Sequence, residues 1–448
     1  MKSVVLNVQR EYECDVAVCG GGVSGFAAAV SAARQGANTL LIENGGFLGG
    51  TATKGLVAPF MTCYDAKGEK QIIKGLFAEL VQNLMEEGGA VSPADCRGGD
   101  GYSGYRTAGH IGVMPFESEV LKRVTEKMCL DAGVRLLYHT TLIGCEKDGN
   151  KISCIYAADN NSIISVKAKA YIDTTGSAAL AEKAGAETMR GNDDGVLQTA
   201  SMFFTVSGVD KTALDAYMQN HPDMRSRFFM DEIAAGKSNG TFPCGTPKLR
   251  MFENPDGTWT VNMAQVDTQL NELDGEAITS AEIEQRKQIA MIIEFLRQNI
   301  TGMENIQLVA TASDIGIRES RRIVGKTIFC LEDMQTAKKF EDRVVVCANS
   351  IDMHGKDGVS YAAHKNENYY IPLSCLISKN VDNLLTAGKS LSADKYAFAA
   401  VRVMPPCIAM GEAVGITAAI AAEKGMSAGE VPYKEVQRIL IGNGAYLE

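Results

Sequence analysis

Four apolar residues in a row, Val16-Ala17-Val18-Cys19, stop abruptly at Gly20-Gly21-Gly22-Val23-Ser24-Gly25. The pattern then changes period. Ala27 to Arg34 is rich in Ala and predicts a helix, and Thr39–Ile42 is a second apolar run, closed by Glu43. Short unbroken apolar runs between turn signals are what strands buried on both faces of a parallel sheet require. Further on, the spacing predicts helices over 74–87, 117–132 and 280–299, the middle one amphipathic with Gly133 past its end. Strands are predicted over 134–142, 143–146, 151–157, 163–171, 201–208 and 343–348, with Gly149-Asn150 as a hairpin turn. Asn254-Pro255-Asp256-Gly257 predicts a second hairpin, joining 249–252 to 258–263. Gly98 to Gly104 reads as a loop, and Pro405-Pro406 opens an apolar last helix.

The order strand, glycine turn, helix, strand, acid is the dinucleotide-binding fingerprint. Gly20 allows the tight turn, Gly22 lets the backbone approach a pyrophosphate, and Gly25 lets the helix pack closely on the strand. The helix N-terminus, with Val23 and Ser24 in its first turn, carries free N–H groups and partial positive charge toward phosphate. Glu43, 18 residues after Gly25, is placed to accept ribose hydroxyls. The same turn also serves βα units that hold no ligand.

Composition narrows the partners. A net charge of −10 argues against nucleic acid, which needs clustered Lys and Arg. The N-terminus shows no signal-peptide core and no run reaches the ~18 apolar residues of a membrane span, so a cytoplasmic protein with no membrane partner is expected. The 12 cysteines are spread singly, with no C-x-x-C. Cys14 and Cys19, five apart in an extended run, are expected on opposite faces of the strand and not as a redox disulfide. No pair of His residues has metal-ligand spacing, so no metal is expected.

After Glu43 comes Asn44-Gly45-Gly46-Phe47-Leu48-Gly49-Gly50-Thr51-Ala52-Thr53. Here the chain resembles the FAD-dependent oxidoreductases of the two-dinucleotide-binding-domain superfamily. In these the ribose-binding acid is followed by a Gly-Gly-Thr or Gly-Gly-x-Ala segment running along the FAD. A flexible glycine loop is the alternative. Tyr171-Ile172-Asp173-Thr174-Thr175-Gly176 resembles the family's Asp-x-Thr-Gly, although Gly176-Ser177-Ala178-Ala179 replaces a common Gly-Asp-Gly-Asp. Tyr370-Ile371-Pro372-Leu373 and Asn383-Leu384-Leu385-Thr386-Ala387-Gly388-Lys389 resemble two further signatures, with Lys389 in place of the usual Arg.

The resemblance implies an α/β fold: a Rossmann-like ββα FAD-binding domain of the glutathione-reductase type, made of 1–199 and 306–448. Residues 200–305 would be an inserted α+β cap that supplies substrate contacts. It implies non-covalent FAD, since 44–62 contain no His. The cofactor residues would be Gly20, Gly22, Val23, Ser24, Gly25, Glu43, Gly49, Gly50, Thr51, Ala52, Leu142, Thr174, Gly176, Gly388, Lys389 and Pro405. The last of these opens the helix whose N-terminus the family points at the flavin.

A flavin takes or gives a hydride at N5, and the protein places the substrate and supplies charge and a proton. Distantly similar fumarate reductases hold a substrate carboxylate with a His and an Arg. In the comparable segment here Lys395 and Arg402 are the candidate catalytic pair, with Arg318 of Arg318-Glu319-Ser320-Arg321-Arg322 as a third. Equally, Arg402 would be a structural ion pair and Lys395 solvated. Arg321 and Arg322 are expected to be solvated or paired, and His354 and His364 are loop histidines or proton carriers. The expectation is hydride transfer with a small organic substrate, a carboxylate among the candidates. An O2-using oxidase or monooxygenase and a non-catalytic FAD-binding protein are the alternatives. With no second glycine fingerprint, a separate electron carrier is expected; the oligomeric state stays open.

Overall fold

The computed structural model describes residues 7–92, 113–191, 195–266, 270–355, 358–362 and 368–448. The chain opens on β1 (Val8–Cys19), followed by α1 (Val23–Arg34) and β2 (Thr39–Ile42). Helices α2 (Leu76–Glu86) and α3 (Ser118–Asp131) lead to β3 (Arg135–Leu137), β4 (Thr141–Asp148), β5 (Lys151–Ala158) and β6 (Ile163–Asp173). Together with strand Leu384–Thr386 these form one seven-stranded sheet in the order β3-β2-β1-β6-β5-β4, the Leu384–Thr386 strand pairing with β6. β1 runs parallel to both β2 and β6, with Val18 beside Leu41 on one side and Ile172 on the other. That double pairing explains the unbroken apolar run.

The long helix Met404–Lys424 packs on α1 through small residues, Gly411 and Gly415 against Ser24 and Ala28. A Cβ at Gly411 would lie 2.3 Å from Ser24 O, and one at Gly415 2.3 Å from Ala28 O. Positions four apart stack on one helix face, so the two helices meet backbone to backbone. By length and composition this helix is apolar enough to cross a membrane, yet 94% of its apolar window is buried in the fold. It is a core helix, and it is not the last one: Tyr433–Gly442 follows.

A second, antiparallel sheet has the strand order Gln307–Thr311, Ser201–Ser207, Trp259–Gln265, Met251–Glu253. The helix Gly275–Asn299 buries Ile289, Ile292, Phe295 and Leu296 in the core of that sheet, which spans Ala200 to Ile315. The Gln307–Thr311 strand pairs with Ser201–Ser207, so this sheet draws on residues past 305.

Several expected elements differ. The single strand predicted over 134–142 is broken between β3 and β4, where His139 takes φ +50°. The strand predicted over 163–171 extends to Asp173 and pairs antiparallel with β5 and parallel with β1. Cys14 and Cys19 do not face opposite ways. The amides of Asp15 and Val16 both donate to Asn38 O, and both cysteines pack on one cluster as free thiols. The loop expected over 98–104 and His364 lie outside the described residues.

Candidate active site

The end of β1, the start of α1 and the end of β2 converge on a cavity of about 560 Å³. Its shape follows from glycines. Gly20 takes φ +102°, and a Cβ there would lie 2.6 Å from Thr174 O. A Cβ on Gly25 would meet Gly20 O at 1.8 Å, so only glycine lets α1 start so close to the strand end. Thr174 Oγ1 donates to Gly20 O at 2.7 Å and holds the turn. Gly22 is the N-cap of α1 and offers no side-chain cap, so the first-turn N–H groups remain for a ligand.

Gly22 forms a parallel bridge with Gly49, and a Cβ on Gly50 would come within 2.8 Å of Gly22 Cα. Glu43 is buried at the end of β2. Its Oε2 accepts from Gly21 N at 2.6 Å; its Oε1 accepts from Gly45 N at 2.7 Å and from Lys54 Nζ at 2.6 Å. A narrow glycine-walled cleft, an uncapped helix start and a buried acid fit a dinucleotide: phosphates against amides, ribose against Glu43.

The expected cofactor residues divide into two groups. Gly20, Gly22, Val23, Ser24, Glu43, Gly50, Thr51, Leu142, Thr174, Gly176 and Lys389 line the cavity. Gly25, Gly49, Ala52, Gly388 and Pro405 stand behind it. Gly49 donates its N–H to Gly21 O at 2.9 Å, and Gly388, at φ +77°, abuts Ser24, where a Cβ would meet Oγ at 2.4 Å. Ala52 is buried in the short turn Gly50–Ala52, and Pro405 in the first turn of Met404–Lys424. That helix also lacks a side-chain cap, and Val403, Met404 and Cys407 at its start line the cavity.

Beyond the glycines three cations, Arg318, Lys389 and Arg402, line the cavity, with the acids Asp352 and Glu272 among them. Arg402 Nη2 lies 3.0 Å from Asp352 Oδ2 and 3.4 Å from Gln198 Oε1, while its buried Nε has no hydrogen-bond partner. Arg318 Nη1 donates to Thr199 O at 2.8 Å, and Lys389 Nζ donates to Ile317 O. Asp352 and His354 alternate on strand Ile351–Gly355, which puts both side chains on one face, and His354 Nε2 lies 3.0 Å from Asp352 Oδ2.

The electrostatics follow from burial. Burial alone would raise the Asp352 carboxyl; the hydrogen bond from His354 and the charge of Arg402 reverse this and hold it well below the usual carboxylate range. His354 is pushed down to about 3, first by burial and then by Arg318, against the pull of Asp352. It is a neutral imidazole at neutral pH. Burial, with Arg402 nearby, lowers Lys389 to about 8.

Lys395 is not among the residues that line the cavity. It is the first residue of helix Lys395–Val401, whose C-cap is Arg402. Seven residues of helix separate the two by about 10 Å along the axis. The expected pairing of Lys395 with Arg402 is therefore corrected: Lys389 and Arg318 are the cations beside it. Arg402 does make an ion pair, yet it still faces the cavity. Arg322 is buried and paired with Glu319, while Arg321 donates to Ser177 O. Asp352, Gln198 and Lys54 escaped the sequence reading, and His354 is no loop residue. The alternation Asp352-x-His354 was the available signal. Among the described residues no group of three or more His, Cys, Asp or Glu side chains is placed to hold a metal.

The model of the family described as FAD dependent oxidoreductase matches residues 15–440. No curated protein sequence matches the chain. Among solved structures, the chain is similar to a geranylgeranyl bacteriochlorophyll reductase-like protein from Thermoplasma acidophilum, at 13% identity and a TM-score of 0.46 over 97% of this chain and 85% of that one. It is similar to p-nitrophenol 4-monooxygenase from Pseudomonas putida, at 10% identity and TM-score 0.49 over 98% and 88%. A myxobacterial chondrochloren halogenase aligns at 12% identity and TM-score 0.46 over 96% and 78%.

Proposed function

The chain belongs to the FAD-dependent oxidoreductase family, and from that premise we propose that it moves a hydride between FAD and a small carboxylate-bearing substrate. The observation that carries this reading is the convergence of Arg318, Arg402 and Lys389 on the cavity that also holds the dinucleotide cradle. FAD, when bound, supplies hydride acceptance and donation.

The protein's own residues do the rest. Arg402 lines the cavity, and together with Arg318 it binds and orients a carboxylate through charge-assisted hydrogen bonds. Lys389, at about 8, gives or takes a proton near neutral pH, where acid–base groups are most effective. Asp352 fixes the His354 ring, so that its other nitrogen is held as a proton acceptor. A carboxylate on Arg318 and Arg402 would offset the smaller, charge-borne part of the His354 depression, while the part due to burial stays.

We read the parallel sheet as a cofactor domain of the glutathione-reductase type and the second sheet as its substrate cap, carried on to Thr311. Ser201, Phe203 and Asn262 of the second sheet lining the same cavity support this.

The test is the visible spectrum of the purified protein, then anaerobic photoreduction with and without small carboxylates, then mixing with O2. Flavin bands released by acid, perturbed by carboxylates, with slow reoxidation, support this reading. Fast reoxidation selects an oxidase or monooxygenase. A flavin that no carboxylate perturbs and no donor or acceptor turns over selects a binding role. Failure to take up FAD sinks all three.

A further inference from the structure

Lys54 has no role in the reading above, yet it occupies the buried acid of the cofactor cleft. Its Nζ lies 2.6 Å from Glu43 Oε1 and 2.5 Å from Asn44 Oδ1, and its side chain is only 14% exposed. The stem crosses Gly45, where a Cβ would meet Lys54 Cε at 2.3 Å; the glycine is what opens this path. A second acidic group is within reach. Asp314 Oδ2 lies 4.0 Å from Nζ, on a side chain 61% exposed. The same turn is tied to Lys54 by its backbone, because Ser313 N donates to Lys54 O at 2.8 Å. Ser313 and Asp314 lie just after strand Gln307–Thr311 of the second sheet.

Glu43 has limited capacity. A carboxylate offers about four lone-pair positions. Gly21 N, Gly45 N and Lys54 Nζ occupy three of them. One remains, and a ribose diol that donates through both hydroxyls needs two. The two backbone amides are fixed by the turn; Lys54 is the one partner held by a side chain.

We propose that Lys54 competes with the adenosine ribose for Glu43 and, when the ribose takes the carboxylate, moves to Asp314, so that FAD loading tightens the 313–314 turn of the second sheet over the cleft. Lys54 is then a positioning residue that reports cofactor occupancy to the substrate side. Nothing covalent is involved: one ion pair is exchanged for another. The exchange is favourable only as a whole, because a buried Glu43 left without Lys54 needs the hydroxyls in return.

The experiment measures FAD affinity of the purified apoprotein by flavin fluorescence for four proteins: wild type, Lys54→Met, Asp314→Asn and the double variant. Lys54→Met is expected to bind FAD about tenfold tighter, since the ribose meets no competitor. Asp314→Asn is expected to bind severalfold more weakly, since Lys54 loses its destination. In the Lys54→Met background the Asp314 change is expected to do nothing. Hydrogen exchange at 313–314 is expected to slow on FAD addition in wild type and not in Lys54→Met. Asp314 is exposed, so its variant keeps the fold whatever happens at Lys54. Weaker FAD binding by Lys54→Met would overturn the proposal, because Lys54 would then hold the cofactor directly. An Asp314→Asn effect of equal size in both backgrounds, or none in wild type, would overturn it too. Failure of the carboxylate reading above leaves all four affinities unaffected.

Discussion

Asp352 Oδ2 lies 3.0 Å from Arg402 Nη2, and the same oxygen lies 3.0 Å from His354 Nε2. One carboxylate thus orients both a candidate substrate-binding cation and a candidate proton acceptor. Arg402 sits at the C-cap of Lys395–Val401 and Asp352 on the Ile351–Gly355 strand, so the pair also ties these elements together.

Replacing Arg402 by Met removes one of the cavity's cations and leaves the half-buried Asp352 with one cation fewer. Carboxylate affinity, read from the perturbation of the flavin spectrum, is expected to fall at least about tenfold. Thermal unfolding is expected to show a loss of about 3 kcal/mol, the scale of breaking a buried pair. Unchanged carboxylate binding would place the substrate elsewhere in the cavity.

The depressed His354 gives a defined pH dependence. The unfolded chain binds a proton near 6.5 that the folded chain refuses until about 3. In that window the unfolded state carries more protons, so stability is full above 6.5 and is lost as pH falls toward 3. Asp352, also depressed, loses its contribution below the ordinary Asp range, in the same direction. Urea unfolding between pH 7 and 4.5 is expected to show a slope of up to about 1.4 kcal/mol per pH unit that His354→Gln reduces. An unaltered slope in that variant would assign the acid sensitivity to other groups.

Lys389 titrates at about 8, so its charge disappears as pH rises through that value. Carboxylate affinity is expected to drop several-fold between pH 7 and 9 in wild type and to stay flat in Lys389→Met. Equilibrium titrations at three pH values decide this. A drop that persists in the variant would point to a different titrating group.

The glycines separate cofactor contact from fold. A Cβ at Gly22 has nothing closer than Gly50 Cα at 4.0 Å, whereas one at Gly25 meets Gly20 O at 1.8 Å. Gly22→Ala is therefore expected to fold with wild-type thermal stability and lose FAD affinity about tenfold or more. Gly25→Ala is expected to lose stability itself, by about 1–3 kcal/mol of overpacking. Equal FAD affinity in Gly22→Ala and wild type would remove the pyrophosphate from that turn.

By itself, the sequence determined the cofactor half of this protein. Val16–Cys19, the glycines from Gly20 to Gly25 and Glu43 are contiguous, and their roles follow from local backbone geometry: a missing Cβ, a helix start, a strand end. Such constraints act within about thirty residues and leave their mark on residue type. The hairpin at Gly149-Asn150 and the strand and helix order were legible for the same reason. Tertiary structure alone decided which charged side chains meet at the cavity. Arg318, the Asp352–His354 strand, Lys389 and Arg402 come from separate segments, and nothing local says which long side chain reaches a shared cavity. Lys395 and Lys389 illustrate it: both stand near Arg402 in sequence, but helix geometry carries Lys395 about 10 Å away along the axis while the turn at Gly388 keeps Lys389 at the cavity wall. The ion pairs and depressed titrations there arise from burial created by packing two sheets and the Met404–Lys424 helix together, a property of the assembled fold and of no segment within it.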